Sequence, residues 1–462
     1  MGEKPAVASR SPLRAFDEVD HHVLFGYLPQ TRKSSSMDRY KPVARAATWQ
    51  QDPERLKFTK HLQSQGLPDA KPDLARMAAY RYGRLQTQLA RSECAAALLF
   101  SPMNVRYATE TTYAAITNMH SPTRAVFVPN EGKAVLYDSA SPGFFWYPDF
   151  IEEVRDSHLS PYFIAGDLYA DRSSKWAKEI VDLVKTHGGG SKRIAIDIVE
   201  PELLLALHKE GLEIVSAERM VERAGAVKSS DELLCIAASV SVAERGLARI
   251  RENLQAGVTE QALWAHLAFE NAKQCGGWFE YAILSSGERT NPWGQECTRN
   301  PIRSGELVTV DTGMVGPFGY TADISRTYHC GPAKPTDEQK RLYQTAVENL
   351  NANIELIRAG MSFREYAEKS WKVPKEFWAR RYNSVAHGTG MGNEWPHIPF
   401  AADWGIADKR EDVFAENMVM AIESCIGCED GVECVKLEEM VVVTNGQCQL
   451  LSTCPFEASL LD

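Results

Sequence analysis

The sequence predicts an α/β domain followed by an α+β domain, and three observations predict this division. Short apolar runs alternate with helical stretches between residues 76 and 227, which is typical of an α/β domain. Long amphipathic helices replace this alternation from Lys228 onwards. There, apolar runs separated by glycine-rich turns favour antiparallel hairpins between the helices. We therefore expect domains at 76–227 and 228–462, after a polar, proline-containing arm at 1–75.

The apolar runs and helical stretches of the first domain define its predicted elements. Strands are predicted at 95–100, 125–128, 134–137, 194–198 and 212–215, and helices at 76–91, 173–186 and 201–210.

Four helix starts in the second domain carry N-capping residues. These are Ser229, Thr259, Thr336 and Ser362, and Ser229, Thr336 and Ser362 are followed three residues later by Glu or Gln. Strands are predicted between these helices at 307–311, 320–328, 417–424 and 435–444.

Length and charge exclude some classes of function. A chain of 462 residues fits two to four domains at roughly 100–200 residues each. The formal net charge of −10 argues against nucleic-acid binding, which needs a basic surface. No apolar stretch has the length of a membrane span, and the first forty residues lack the apolar segment of a signal peptide. We expect a cytoplasmic protein that does not bind membranes.

The ten cysteines are scattered, which favours reduced thiols. Cys425, Cys428 and Cys434 resemble a zinc or redox motif, but no second cysteine pair follows at zinc-ribbon spacing. We interpret these three as small apolar side chains.

Two aspartates lie where strand propensity disfavours them. Asp311 ends the run Leu-Val-Thr-Val-Asp, and Asp323 follows twelve residues later, after a glycine-rich segment. A hairpin would bring both carboxylates together, and two buried carboxylates repel unless a cation or a proton lies between them.

One histidine and two glutamates have a similar setting. His387 begins His-Gly-Thr-Gly, and Glu423 and Glu438 interrupt apolar runs that predict buried strands. Four carboxylates and one imidazole on converging strands form the ligand set of a binuclear site for divalent cations. Each residue alone fits an ordinary strand end or turn, but the set of five indicates a metal centre.

These residues also carry a resemblance to a known superfamily. In order along the chain, the motifs around Asp311, Asp323, His387, Glu423 and Glu438 resemble the five metal-ligand motifs of the pita-bread superfamily. That superfamily includes aminopeptidase P, prolidase, methionine aminopeptidase and creatinase. The resemblance covers about residues 228–462, and residues 76–225 resemble the N-terminal domain of creatinase and prolidase. It implies an α/β domain of that type followed by an α+β pita-bread domain.

Two histidines of the superfamily's peptidases are missing. Trp293 follows Asn291-Pro292 where one is expected, and Asn393 precedes Glu394 where another is expected. Without these imidazoles the departing amine lacks its proton donor near neutral pH, which disfavours peptide hydrolysis.

The metal-dependent dimethylsulfoniopropionate lyase branch of this fold resembles the chain more closely. The shared features are the twelve-residue aspartate spacing, the segment Thr-Asn-Pro-Trp at 290–293, the run 360–366, Arg381-Tyr382, the shortened loop after His387 and the polar arm. The resemblance implies elimination of dimethyl sulfide from a small sulfonium carboxylate, leaving acrylate. It also implies two divalent metal ions, with iron favoured and manganese, zinc or cobalt possible.

Two positions depart from that lyase pattern. The lyase branch carries a further metal aspartate where this chain has Gly313, and a catalytic aspartate where it has Asn393. An amide cannot accept the proton that an elimination removes from carbon. Tyr382, Glu394 and a metal-bound hydroxide are the candidate bases.

Aromatic residues are the candidates for substrate binding. Trp293, Trp395, Tyr320 and the run 144–147 can form a wall for a sulfonium or quaternary ammonium group, although aromatic runs also occur in cores and interfaces. The alternative function is a binuclear-metal hydrolase of a small amide, amidine or Xaa-Pro dipeptide. A partner-binding protein without catalysis is disfavoured, because it has no need of four carboxylates around a cation. The long arm favours a homodimer.

Overall fold

A six-stranded mixed sheet forms the centre of the N-terminal domain. The computed structural model describes residues 71–138, 147–157, 159, 161–392, 395–405 and 412–462, so the predicted arm lies almost wholly outside the described residues. The strands are β1 Ala96–Leu99, β2 Ala125–Pro129, β3 Ala134–Asp138, β4 Ile151–Asp156, β5 Arg193–Ile196 and β6 Glu213–Ser216. Their order is β4-β3-β2-β1-β5-β6, and β1–β2 and β2–β3 are the antiparallel pairs. Five predicted strands are confirmed to within two residues at each end.

Helices cover this sheet. They are α1 Leu74–Ala90, α2 Pro102–Thr109, α3 Ala115–His120, α4 Tyr162–Ala165, α5 Tyr169–His187, α6 Pro201–Lys209 and α7 Glu218–Ala226. One face of the sheet packs on α5 and α6 around Trp176 and Leu207, which are buried. The other face shares a continuous apolar core with the C-terminal domain, in which Leu85 and Leu99 join Val240 and Val310.

The C-terminal domain is α+β, as predicted. Its helices are α8 Ser230–Asn253, α9 Glu260–Lys273, α10 Asp337–Leu356, α11 Phe363–Lys369 and α12 Ala458–Leu461. The predicted capping boxes at Ser229 and Thr336 are present, and the side chains of Thr259 and Ser362 cap α9 and α11. No helix in the described ranges is long and apolar enough to cross a membrane.

Antiparallel sheets fill the space between these helices. The strands are β7 Leu284–Ser286, β8 Leu307–Asp311, β9 Met314–Val315, β10 Thr321–Ala322, β11 Ser325–His329, β12 Ala386–Gly388, β13 His397–Ile398, β14 Val419–Ile426, β15 Val435–Val442 and β16 Gln449–Leu450. One sheet has the order β11-β8-β7 and another has the order β13-β12-β14-β15-β16.

The predicted strand at 320–328 is two strands rather than one. The Thr312 hydroxyl donates to the Ala322 carbonyl oxygen (2.8 Å) and accepts a hydrogen bond from the Ile324 backbone N–H (3.0 Å). This side chain takes the place of a backbone partner, so β10 ends at Ala322 and β11 begins at Ser325. Asp323 lies in the interruption, beside Asp311.

Candidate metal centre

Strand pairing places the five predicted metal-binding residues in one buried region. Asp311 at the end of β8 lies opposite Ser325 of β11, and Glu423 of β14 lies opposite Glu438 of β15. His387 lies in β12, which pairs with β14. The strands are apolar enough to be fully buried, and their register turns the few polar side chains towards each other.

His387 is the centre of this cluster. Its Nε2 lies 3.2 Å from Glu423 Oε1, 3.7 Å from Glu438 Oε1 and 3.9 Å from Asp323 Oδ2. One ligand atom each of Asp323, His387 and Glu438 fall within 4.8 Å of one another, which is close enough to share an ion. The other ring nitrogen, Nδ1, lies 3.0 Å from the Gly388 carbonyl oxygen and donates to it, so Nε2 is left to face the carboxylates.

A lysine that the sequence reasoning missed lies among the same carboxylates. Lys436 is fully buried, and its Nζ lies 2.5 Å from Glu423, 3.4 Å from Glu438 and 3.8 Å from Asp311. Nζ also donates to the Ser325 hydroxyl (2.8 Å), and that hydroxyl donates to Glu438 Oε2 (2.8 Å). A lysine interrupting the apolar run 435–443 was the available signal, of the same kind that identified the two glutamates.

The pKa shifts show how strongly these groups interact. Burial and the neighbouring Asp311 raise the pKa of Asp323 to about 8. Burial alone would lower the pKa of His387, but the nearby Glu423 and Asp323 outweigh this effect and raise the pKa to about 9. Burial likewise lowers the pKa of Lys436, and Glu423, Glu438 and Asp311 raise it well above its usual value. Four ionised carboxylates would therefore carry more negative charge than Lys436 neutralises, so without a further cation Asp323 holds a proton near neutral pH.

Two observations indicate that this cluster is suited to binding divalent cations. Within the part of the chain that the structure describes, Glu438 Oε1 is buried and has no hydrogen-bond partner. Burial also raises the pKa of Glu438 well above its usual value, which reflects the cost of an unneutralised charge there. Oxygen ligands with one imidazole suit iron, manganese, zinc or cobalt.

Tyr281 is a second residue that the sequence reasoning missed. Its hydroxyl lies 2.9 Å from Asp323 Oδ1 and 3.1 Å from Asp311 Oδ1. Its ring lies over Gly313, where an added Cβ would stand 2.4 Å from the ring edge. Nothing in the local sequence distinguishes this tyrosine from a strand tyrosine that only packs.

The predicted aromatic residues fall into two groups. The half-buried rings of Trp293 and Tyr382 both face the Lys436 ammonium, with centroids 5.2 and 4.8 Å from Nζ. The Trp395 ring instead lies against the Arg223 guanidinium, 4.8 Å away, and packs edge-on against Phe363.

Tyr320 is buried away from the metal-binding residues. Its hydroxyl donates to Glu232 (2.9 Å) and accepts from Arg81 (3.2 Å), so it takes part in an ion cluster between the two domains. Asn393, Glu394 and residues 144–146 lie outside the described residues, and Tyr147 is a half-buried neighbour of the large core.

Cys425, Cys428 and Cys434, which we interpreted as small apolar side chains, have free thiols, as do the other cysteines that the structure describes. Cys425 and Cys434 are buried, and the Cys434 thiol donates to the Thr290 carbonyl oxygen (2.6 Å). Across the described ranges, the cluster containing Asp323, His387 and Glu438 is the one group of three metal-binding side chains.

Comparison with known proteins supports the same fold and family. The dimethylsulfoniopropionate lyase DddP of Roseovarius nubinhibens is 33% identical over 398 residues, which are 85% of this chain and 89% of that protein. The chain belongs to the DddP family. The DddP lyase of Roseobacter denitrificans is 32% identical over 396 residues, 84% of this chain and 88% of that protein.

Family patterns match both domains of this DddP-family chain, and solved structures share its fold. The pattern of metallopeptidase family M24 matches residues 235–445, and that of the creatinase/prolidase N-terminal domain matches residues 81–227. The Xaa-Pro dipeptidase from Bacillus anthracis superposes with a TM-score of 0.67 at 20% identity, covering 82% of this chain and 99% of that one. The prolidase from Pyrococcus horikoshii OT3 superposes with a TM-score of 0.64 at 19% identity, covering 82% of this chain and 99% of that one. These matches confirm the predicted superfamily and the creatinase-type and pita-bread domains.

Proposed function

We propose that the chain is a metal-dependent carbon–sulfur lyase that releases dimethyl sulfide from dimethylsulfoniopropionate and leaves acrylate. The observation that carries the proposal is the similarity to the DddP lyases over almost their full length. The buried cluster of four carboxylates and one imidazole supports it, since it supplies the ligand types that a metal-dependent lyase of this fold needs.

In this proposal Asp311, Asp323, His387, Glu423 and Glu438 hold two divalent metal ions. When bound, such ions polarise the substrate carboxylate and so acidify the C–H bond beside it. Iron is our first choice because of the resemblance to the lyase branch, and manganese, zinc and cobalt suit the same donors.

The chain's own residues position the substrate. The rings of Trp293 and Tyr382 have their centroids 5.2 and 4.8 Å from the Lys436 ammonium, which supports a role for these two aromatic faces in binding a cation. We assign the sulfonium end of the substrate to the exposed parts of these two rings. Tyr320 is a weaker candidate because it is buried and its hydroxyl bonds to Glu232 and Arg81. Trp395 is weaker because its ring packs on Arg223 and Phe363 rather than facing the carboxylate cluster.

The general base is assigned to Tyr382 or Glu394. Glu423 and burial raise the pKa of Tyr382 far above its usual value, which opposes a role as base. Divalent cations beside the ring would act in the opposite direction. Tyr382→Phe and Glu394→Gln separate the two candidates: the variant of the true base loses turnover, with binding of acrylate unchanged.

Headspace gas chromatography tests the lyase directly. The metal-loaded protein is incubated with dimethylsulfoniopropionate, and dimethyl sulfide is measured for wild type and for Asn393→Asp, which restores a carboxylate at the position of the missing acid. We expect gas from wild type and at least as much from the variant. Absence of gas from both proteins, with metal content verified, would overturn the lyase proposal for this substrate.

The match to metallopeptidase family M24 supports a hydrolase as the second candidate. In this role, the same five residues would hold the metal ions, which would supply an activated water for hydrolysis of a small amide or amidine, and Glu423 would transfer the proton. The same protein preparation is therefore given an Xaa-Pro dipeptide. Release of free proline without dimethyl sulfide would establish the hydrolase instead, whereas the lyase proposal predicts the reverse.

We propose a small-molecule substrate and a homodimer. Light scattering coupled to size-exclusion chromatography tests the dimer, and removal of residues 1–70 tests the contribution of the arm. A full-length protein with the mass of one chain would overturn the dimer.

A further inference from the structure

The Tyr281 hydroxyl occupies an unusual position beside the two aspartates. It contacts one oxygen of each, at 3.1 Å for Asp311 and 2.9 Å for Asp323. When both aspartates are ionised, a hydroxyl with one proton cannot satisfy both of them. When two oxygen ligands each lie about 2.1 Å from one ion and the oxygen–ion–oxygen angle is about 90°, the two oxygens lie about 3.0 Å apart. The Tyr281 oxygen thus lies at the spacing of a neighbouring ligand from each of the two aspartate oxygens.

The backbone holds Tyr281 firmly in this place. The segment before it pairs with the segment after β8, because Val315 N–H donates to the Trp278 carbonyl oxygen and Glu280 N–H donates to the Gly313 carbonyl oxygen, both at 2.9 Å. Gly313 has a φ of +38° and no side chain, which leaves room for the tyrosine ring. The phenol oxygen is therefore positioned by backbone pairing and packing, as are the two aspartates.

We infer that the phenol oxygen of Tyr281 is a further ligand of the metal ion that Asp311 and Asp323 hold. This inference rests on the metal centre of the proposed function. With an ion held there, the Tyr281 hydroxyl would lose its proton to solvent, because ligand groups bind metals in their deprotonated form. The phenolate oxygen also neutralises part of the charge of the ion in a buried site.

Ferric iron is the probe for this assignment, because a tyrosinate bound to Fe(III) produces a broad charge-transfer absorption in the visible range that carboxylates and imidazole do not. The protein is loaded with iron and oxidised, its iron content is measured, and its visible spectrum is recorded. Tyr281→Phe is compared with Tyr382→Phe, the matched control, whose ring also lies at the cluster. We expect the band in wild type and Tyr382→Phe and its loss in Tyr281→Phe.

The outcomes separate this inference from the proposed function. Wild type that binds no iron overturns the metal centre and the inference together. Wild type that binds iron without the band, or a band that persists in Tyr281→Phe, overturns the inference alone and leaves Tyr281 as a hydrogen-bond donor to the two aspartates. If Tyr281→Phe binds too little iron for a spectrum, Tyr382→Phe decides between the two tyrosines at the cluster: a band that survives there does not come from Tyr382 and supports Tyr281, and one that disappears contradicts the assignment.

Discussion

At the scale of single residues, the neighbours of each candidate ligand prepare it for a cation. Ser325 is one such neighbour. Its hydroxyl donates to Glu438 Oε2 and accepts from Lys436, so it fixes the orientation of the carboxylate and limits how closely the ammonium approaches. Groups that orient a ligand in this way influence the affinity of a site for metal even though they do not touch the ion.

We predict that Ser325→Ala weakens metal binding by about 10–100-fold, because Glu438 loses its hydrogen-bond donor and pairs more closely with Lys436. Competition with a chromogenic chelator measures the affinity. Ser285→Ala is the matched control, since the Ser285 hydroxyl is equally buried in the same sheet but pairs with Thr309 (3.2 Å). Equal affinities for Ser325→Ala and wild type would contradict the predicted role.

At the scale of elements, the strands of the candidate site were predictable because their cores are apolar. Val435–Val442 and Leu307–Asp311 are buried along their whole length, so each charged residue within them is conspicuous in the sequence. The interruption at Asp323 was not predictable. It depends on the Thr312 side chain, which replaces a backbone partner only once β8 and β11 have paired.

The segment after β8 yields a prediction about stability. An alanine methyl at Gly313 would lie 2.4 Å from the Tyr281 ring, in a backbone conformation that side chains disfavour. Gly313→Ala should therefore lower the free energy of unfolding by about 1–3 kcal/mol or more. Gly446→Ala is the control, because an added Cβ there meets no atom within 4 Å. Urea denaturation of the three proteins measures the difference, and equal losses in both variants would show that the Tyr281 contact is not the cause.

At the scale of the whole molecule, the two domains share one apolar core and a buried ion cluster, and sequence patterns reveal neither. Arg81 of α1 contacts Tyr320 over a separation of 239 residues, and Arg223 of α7 lies against Trp395. Both aromatic residues are predicted substrate contacts, and the sequence shows that the aromatic side chains are present but not that Arg81 and Arg223 lie beside them. Lys436 interrupts an apolar run as the two glutamates do, but the sequence does not show that carboxylates from β8, β14 and its own strand β15 converge on it.

The junction between the domains makes stability depend on pH. Lys228 lies between α7 and α8, is 2% exposed, and donates from Nζ to the Ala226 carbonyl oxygen (3.1 Å). Burial lowers the pKa of Lys228 to about 8, although Glu232 and Glu222 raise it in part. An unfolded lysine has a pKa of about 10.4. Between these two pH values the unfolded chain binds a proton that the native protein does not, so this group makes native stability rise with pH. Below about pH 8 both states are protonated, and the dependence ends.

Lys228→Met should accordingly be more stable than wild type at pH 7, by up to about 3 kcal/mol, and the gap should narrow as the pH rises towards 10. Thermal unfolding of both proteins across pH 7–10 measures this difference in stability as a difference in melting temperature. The exposed Lys192 supplies the control, since Lys192→Met should produce a small difference that does not change with pH. A Lys228→Met gap that stays constant or widens with pH would contradict a buried lysine that is hard to protonate. It would mean instead that Glu232 and Glu222 hold the charge of Lys228 at little cost.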